Sequence, residues 1–572
     1  MRKVAAIAVV LTLALLAAAA TWLKRPTSAA SRPARAARTL VASIRTEPRS
    51  FNRYAARDST TEVITFLTQS ALVRVDRVSG RLGPELAERW DLLPDGVTYR
   101  VVLREGVRFS DGTPFSADDV VFSFRAMYDE RGGSVLADSL MVRGQPLTVT
   151  VENPRTVLIK LPSPFGPGLR LLDGVPMLPR HRLEQPLDTS GLASIWGAAT
   201  PPRELVGLGP FTLQRYDSGE RLVFDRNPQY WRRENGQPLP ALDRVVLEIV
   251  PDQDAELLRL QSGEIDCTQS ELRPSDDAAL RRAAGGVPIR VVDLGVGLDG
   301  DLLWFNLTAA KARDPRSGWL QDVRFRRGVS LAVDRQAFVD TVYLGSAVAA
   351  TGLVSPGNKE WYVDTGAIAH DPAAARDLFA SVGLTDRHRD GRLVDARRAP
   401  ARFTLLTQKG NTSLERGASV VRDALAAVGV GVDVVALETG ALVHRLMRGD
   451  YDAAYFRLLT TDADPALSPD FWLSSGSAHV WNPAQAKPST PWESAVDALM
   501  EEVATSGDQV RRKAAFGDVQ RIMARELPAL CYAFPRLRYA MSARIRSATP
   551  AAMRPPILWN PAAIRMVDVG EP

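Results

Sequence analysis

The chain has 572 residues, 45% of them hydrophobic and 24% charged, and a formal net charge of +5. That length is too great for one ordinary hydrophobic core and calls for two or three lobes, while the composition excludes both a disordered chain and a polytopic membrane protein. Seven basic residues and no acid stand before position 40, and removing the four up to Ala30 takes the charge from +5 to +1, so nothing points to nucleic acid as a partner.

In chain order the first predicted element is an export leader, residues 1–30. Arg2-Lys3 precedes an apolar run, Val4–Leu23, with small residues at 17–20 and 27–30 that suit cleavage. The run is also long enough to cross a bilayer once, so a cleaved signal and an uncleaved inner-membrane anchor both stand open. No cysteine follows the run directly, which excludes a lipid attached through an N-terminal Cys. Residues 31–39 read as a tether rich in Ala, Ser, Pro and Arg.

The stretch Leu103–Phe124, LREGVRFSDGTPFSADDVVFSF, predicts a strand, a turn and a helix. Asp111-Gly112 is a strong turn pair, and Pro114 pushes its predecessor toward extended geometry. Ser116 is placed to cap a helix, Asp119 to answer it from the third position, and Phe115 and Val120 to pack as a hydrophobic staple. Taken alone, this is a well-made structural corner with no chemistry in it. Further strands are predicted at 98–103, 147–151, 156–161, 222–226, 245–249 and 403–407. Helices are predicted at 117–128, 254–262, 324–333, 372–381, 415–428, 440–448, 491–504 and 509–526, the last with apolar side chains at helical spacing.

The familiar catalytic patterns are missing. The five histidines, at 181, 370, 388, 444 and 479, include no i, i+4 pair that would put two metal ligands on one helix face. No Gly-x-Ser-x-Gly elbow, phosphate-cradling Gly-x-x-x-x-Gly-Lys loop or dinucleotide fingerprint occurs. The two cysteines, Cys267 and Cys531, are too far apart in sequence for a zinc knuckle. They read either as a disulfide formed in an oxidising compartment or as two buried thiols. No cofactor and no metal are expected.

Several ordered blocks resemble family 5 extracellular solute-binding proteins, the oligopeptide- and dipeptide-binding components of bacterial ABC importers. The first is Gly80–Met127. Gly207–Trp231 follows, GLGPFTLQRYDSGERLVFDRNPQYW, then Ser262–Cys267, then LLWFNL and DVRFRRGVSLAVDR within Leu302–Arg335. HDPAAARDLFASVGL, GDYDAAYFRL and ELPALCYAF come later, so the resemblance covers nearly everything after about position 40. Leu208 departs from the Thr usual in the family, and the segment Ser474–Trp492 is idiosyncratic.

The resemblance implies an α/β fold of two lobes, like a type II periplasmic binding protein, with an extra inserted domain and two inter-lobe crossings. Lobe one would comprise residues 40–55, 180–270 and 535–572, the inserted domain 56–179, and lobe two 271–534. The implied function is a non-enzymatic periplasmic receptor. It would bind peptides in the inter-lobe cleft, as a monomer, and pass them to a permease and ATPase complex in the inner membrane. The same scaffold is consistent with a nickel complex, haem, an opine or an oligosaccharide as ligand, and a secreted hydrolase is the alternative of another class. A transcriptional regulator would need a DNA-reading segment where the leader stands. Cys267 and Cys531 fall near the implied crossings, which raises the disulfide reading. Among relatives an Asp after the GDYDAAYF-type strand holds the peptide amine; Asp462 is the best match here and Asp464 the second, with a plain turn and cap as the other reading. Trp304, Trp472 and Trp481 are expected either as walls of side-chain pockets or as core, Asn306 at the cleft edge, and Phe305 in the core. Arg324, Arg326 and Arg327 could attract a ligand carboxylate, with a helix-surface role for at least two of them.

Overall fold

A computed structural model describes residues 38–567 except 130, 132–133, 193–194, 283–287, 309–310, 312–313, 367, 388–390, 459–461 and 484. The expected leader and nearly all of the tether lie outside the described residues. Among the described residues, no helix is long and apolar enough to cross a membrane.

Two sheets organise the chain. The first runs in the order Ile289–Val296, Ala533–Ser542, Cys267–Thr268, Thr39–Ile44, Arg244–Ile249, Arg221–Arg226 and Phe211–Asp217, with Ala347–Ala349 paired onto Ala533–Ser542. Thr39–Ile44 has parallel partners on both sides, and all but its first residue are buried. A strand covered on both faces reads as a nearly continuous apolar run, as TLVASI does. The second sheet runs Gly431–Leu437, Arg402–Gln408, Ala453–Arg457, Asp301–Phe305 and Ala529–Cys531. Both of its faces are also covered. Leu303 and Phe305 face one core, which includes Phe325 and Phe379, while Leu302 and Trp304 face another, which includes Trp481 and Phe516.

The inserted region carries a four-stranded antiparallel sheet, Ala87–Leu92, Thr98–Leu103, Thr156–Lys160 and Thr148–Asn153. Its corner follows the sequence closely. Gly112 takes φ 89°, the left-handed region that glycine tolerates. Helix Ala117–Met127 begins where the cap pattern puts it, and Asp119 Oδ2 accepts the Ser116 N–H at 2.9 Å. Phe115 and Val120 are buried in one core. Asp119 Oδ1 also accepts the Arg180 N–H at 3.0 Å, which ties the corner to helix Arg180–Ser190. The corner therefore builds scaffold.

The chain passes between the sheets along two adjacent straps. Strand Ile289–Val296 pairs with Ala533–Ser542 in the first sheet, and strand Asp301–Phe305 opens the second. The outward passage is thus 297–300, later than the expected boundary after residue 270. The return passage joins Cys531 of the second sheet to Ala533 of the first. The straps touch, since the Gly297 N–H donates to the Pro535 carbonyl at 2.9 Å.

The disulfide expectation is corrected. Cys267 pairs between Ala42 and Met541 in the first sheet, and Cys531 pairs with Leu302 in the second. Each is a buried thiol in the core of its own lobe, and neither is half of a disulfide. Burial pushes the Cys531 thiol up to about 12, which keeps it protonated and unreactive.

The idiosyncratic segment ends in a well-satisfied helix start. Thr490 caps helix Pro491–Thr505, and Glu493 accepts the Ser489 and Thr490 N–H groups, both at 3.0 Å. Burial would raise the Glu493 carboxyl, but hydrogen bonds from His479, Ser489 and Thr490 outweigh it and hold the group at about 2. A depressed carboxyl contributes stability above its unfolded value, and that contribution disappears as pH falls through the folded value. Glu493→Gln should therefore destabilise the protein by about 2–3 kcal/mol at pH 7. The gap from wild type should narrow as pH falls from the ordinary carboxylate range toward 2, as read from denaturant midpoints across that range. A gap that does not change with pH would contradict the assignment.

Candidate functional site

The two acidic residues proposed from the sequence lie side by side but do different work. Asp464 caps the short helix Pro465–Leu467 through the Ala466 N–H at 3.1 Å, as a turn reading would have it. Its carboxylate also grips the Arg512 guanidinium, whose Nη2 donates to Oδ1 at 2.7 Å and to Oδ2 at 2.8 Å. Arg512 is 3% exposed, donates from Nε to the Val503 carbonyl, and lies 5.0 Å over the Trp361 ring. Asp464 is thus committed to holding its own loop against helix Gln509–Glu526.

Asp462 rests on that base and faces the other lobe. Its Oδ1 accepts the Asp464 N–H at 2.8 Å and also the Nε–H of Arg170 at 2.8 Å. Arg170 belongs to the short helix Gly168–Leu172 of the inserted region and is 292 residues away in sequence. It is anchored on its own side by an Nη1 bond to the Gly80 carbonyl at 2.6 Å. Burial raises the Asp462 carboxyl above its ordinary value, while the Arg170 guanidinium and the Asp464 amide pull it back.

The same strip of the inserted region meets lobe two at further points. The Gly166 N–H donates to the Ala504 carbonyl at 2.6 Å, and Arg143 pairs with Glu501. Phe165 packs against the cores of both lobes. A Cβ on Gly166 would stand 2.6 Å from both Arg512 Nε and the Ser506 carbonyl oxygen, so only glycine permits this approach. Farther along, the field of Asp470 reaches Arg57 of the inserted region.

Near the straps a cavity of about 90 Å³ lies between the end of strand Thr39–Ile44, the start of helix Ser59–Thr68 and the loop carrying Arg554. Arg45, Thr60, Glu62, Gln269 and Ser270 contribute to its walls. Among the described residues Gln269 Oε1 is buried without a hydrogen-bond partner. The cavity is well below the roughly 300 Å³ at which small-molecule sites begin.

Three aromatic expectations resolve toward packing and are corrected as cleft walls. Trp304 and Trp481 are fully buried and Trp472 nearly so, all in one lobe-two core. Strand alternation sends Trp304 into that core as it sends Phe305 into the opposite one. Phe471 stands between Trp472 and Trp481, with ring centroids at 4.7 and 5.4 Å. Asn306 is likewise spent internally, donating to the Gly449 and Tyr451 carbonyls at 2.7 and 2.9 Å and accepting from Thr308. Among the arginines, Arg326 is buried and donates to the Leu527, Gln321 and Glu526 carbonyls. Arg324 pairs with Asp322, and Arg327 donates to the Arg525 carbonyl. Sequence reading missed Arg170 and Arg512. Only a fold brings them to the two aspartates, and no local pattern marks them.

Comparisons with known proteins agree with this architecture. The model of the bacterial extracellular solute-binding proteins, family 5, middle region, matches residues 81–479. A probable di/tripeptide-binding protein of Pseudomonas aeruginosa is 27% identical over 505 residues, covering 83% of this chain and 86% of its own. The dipeptide-binding protein of Escherichia coli is 25% identical over 517 residues, covering 87% and 89%. Among solved structures, the oligopeptide-binding protein AppA of Bacillus subtilis, in complex with a nonapeptide, superposes with a TM-score of 0.72 at 24% identity, covering 93% of this chain and 99% of its own. NikA of Brucella suis, in complex with Fe(III)-EDTA, superposes with a TM-score of 0.75 at 22% identity, covering 91% and 99%.

Proposed function

Because this chain belongs to the bacterial extracellular solute-binding proteins of family 5, we propose that it is a peptide receptor of an ABC importer. It clasps short peptides between its lobes in the periplasm, as a monomer, and presents the closed form to a permease and ATPase complex. The observation that carries this reading is the buried Asp462 carboxylate at the contact between the inserted region and lobe two, where a peptide ammonium needs an anion. The names of the curated relatives, di/tripeptide-binding and dipeptide-binding, support the same ligand class.

Binding requires the lobes to part. The inserted region and lobe two touch along residues 165–170, so the ligand enters as those contacts release, and the straps at 297–300 and 531–533 act as the hinge. The ligand favours closure only through contacts that both lobes make in the closed form. In that form an extended peptide presents its backbone to both walls, and Gln269 Oε1, buried and unbonded among the described residues, is an acceptor for one of its N–H groups.

Asp462→Asn should weaken binding of a free-amine peptide by about several hundred-fold, the usual consequence of removing one partner of a buried charge pair. Titration calorimetry with a peptide recovered from the protein measures it, and an unchanged affinity would remove Asp462 from the site. Incubation with a defined peptide library separates receptor from hydrolase. A receptor retains intact peptides, whereas cleavage products would show an enzyme.

A further inference from the structure

The Asp462 carboxylate has a cation of its own. Arg170 reaches it across the inter-lobe contact with a geometry fixed at both ends, Nε on Asp462 Oδ1 at 2.8 Å and Nη1 on the Gly80 carbonyl at 2.6 Å. Neither partner is loosely placed, since the Arg170 side chain is 13% exposed and that of Asp462 9%. The nearby Asp173, whose field also reaches Asp462, is already paired with Arg77 at 2.6 Å. Arg170 is therefore the counter-charge of Asp462.

We propose that Arg170 is a specificity-determining residue: its guanidinium competes with a ligand's ammonium for Asp462 and so sets how strongly the site selects a free amine. This inference rests on the reading of Asp462 as the ammonium's partner. A ligand ammonium beside the intact ion pair would leave two cations on one buried carboxylate, and an unpaired buried charge is heavily penalised. The ammonium must therefore displace Arg170. The displaced guanidinium gives up an inter-lobe bond, so part of the ligand's binding energy replaces a contact the protein already makes with itself. A ligand whose amine is blocked leaves the Arg170–Asp462 pair in place and forfeits nothing. The internal cation thus lowers the preference for free amines and admits guests with neutral ends.

The test uses one peptide library, di- to pentapeptides, half with free amino termini and half N-acetylated. Full-length protein is incubated with it, and retained peptides are counted by mass spectrometry as a free-amine to acetylated ratio. With Arg170→Gln the ratio should rise about tenfold, the size of an ordinary coupling between charged partners. Arg170→Met, which keeps the apolar stem and lacks the charge, should do the same and serves if the glutamine variant fails to fold. Asp462→Asn should bring the ratio toward one. A ratio unmoved by either Arg170 variant, with Asp462→Asn still lowering it, overturns the role of Arg170 and leaves the amine site standing. A ratio that Asp462→Asn does not change, or no retention of peptide by any form, overturns both.

Discussion

Asp301→Ala is expected to destabilise lobe two by about 3–5 kcal/mol, the cost of leaving a buried charge without its partner. Asp301 is 1% exposed and accepts Arg457 Nε at 2.6 Å on Oδ1 and the Tyr343 hydroxyl on Oδ2. It begins strand Asp301–Phe305 just after the outward strap, and Arg457 ends the neighbouring strand directly opposite. Removing the carboxylate strands a guanidinium whose remaining anion, Glu271, is 3.6 Å away, and it leaves the Tyr343 hydroxyl without an acceptor. Denaturant unfolding followed by lobe-two tryptophan fluorescence measures the loss. The mechanism makes a further demand: Asp301→Leu combined with Arg457→Met should recover part of it, because the apolar pair removes both charges of the pair and leaves only the partly exposed Glu271 and the Tyr343 hydroxyl without their partners. If the double variant is as unstable as the single one, the charge account of this cluster is wrong.

Asp464→Ala is the second large effect and separates the two neighbouring aspartates. Arg512 would lose both carboxylate bonds while remaining buried against Trp361, again about 3–5 kcal/mol. The loop that presents Asp462 would lose its attachment to helix Gln509–Glu526, so ligand affinity should fall together with stability. Asp462→Asn, by contrast, should lower affinity with a clearly smaller loss of stability, because the Arg170 guanidinium it strands lies at an inter-lobe contact and regains water when the lobes part. Matching effects of the two variants on the midpoint would contradict this division of labour.

What was legible in the sequence was chiefly local. The corner at Leu103–Phe124 is specified several times over by short-range chemistry, and helices such as Pro372–Ser381 and Gln509–Glu526 carry their own caps and apolar stripes. Helix Arg180–Ser190 escaped because Pro186 lies inside it and reads as a break. The family blocks conveyed the two-lobed plan, and the family match and solved neighbours agree with it. Long-range partners were not legible. Asp462 was singled out with no sign of Arg170, and Asp464 with no sign of Arg512, since an ion pair spanning hundreds of residues leaves no periodic trace. The tryptophans misled for a related reason. A large aromatic near a cleft motif fits a pocket wall and a core equally well, and only the covering of both faces of the second sheet decides for the core. The disulfide failed because nearness to a crossing says nothing about which sheet a cysteine faces.

Native mass spectrometry of the protein purified from cells that make it, followed by denaturation and identification of what is released, tests whether two lobes clasp an intact peptide by its amine. The account predicts one-to-one adducts that dissociate into short, uncleaved peptides, and their loss from the Asp462→Asn variant. A metal complex, haem or sugar in place of peptides, or protein that carries nothing and takes up nothing from a peptide library, would contradict it.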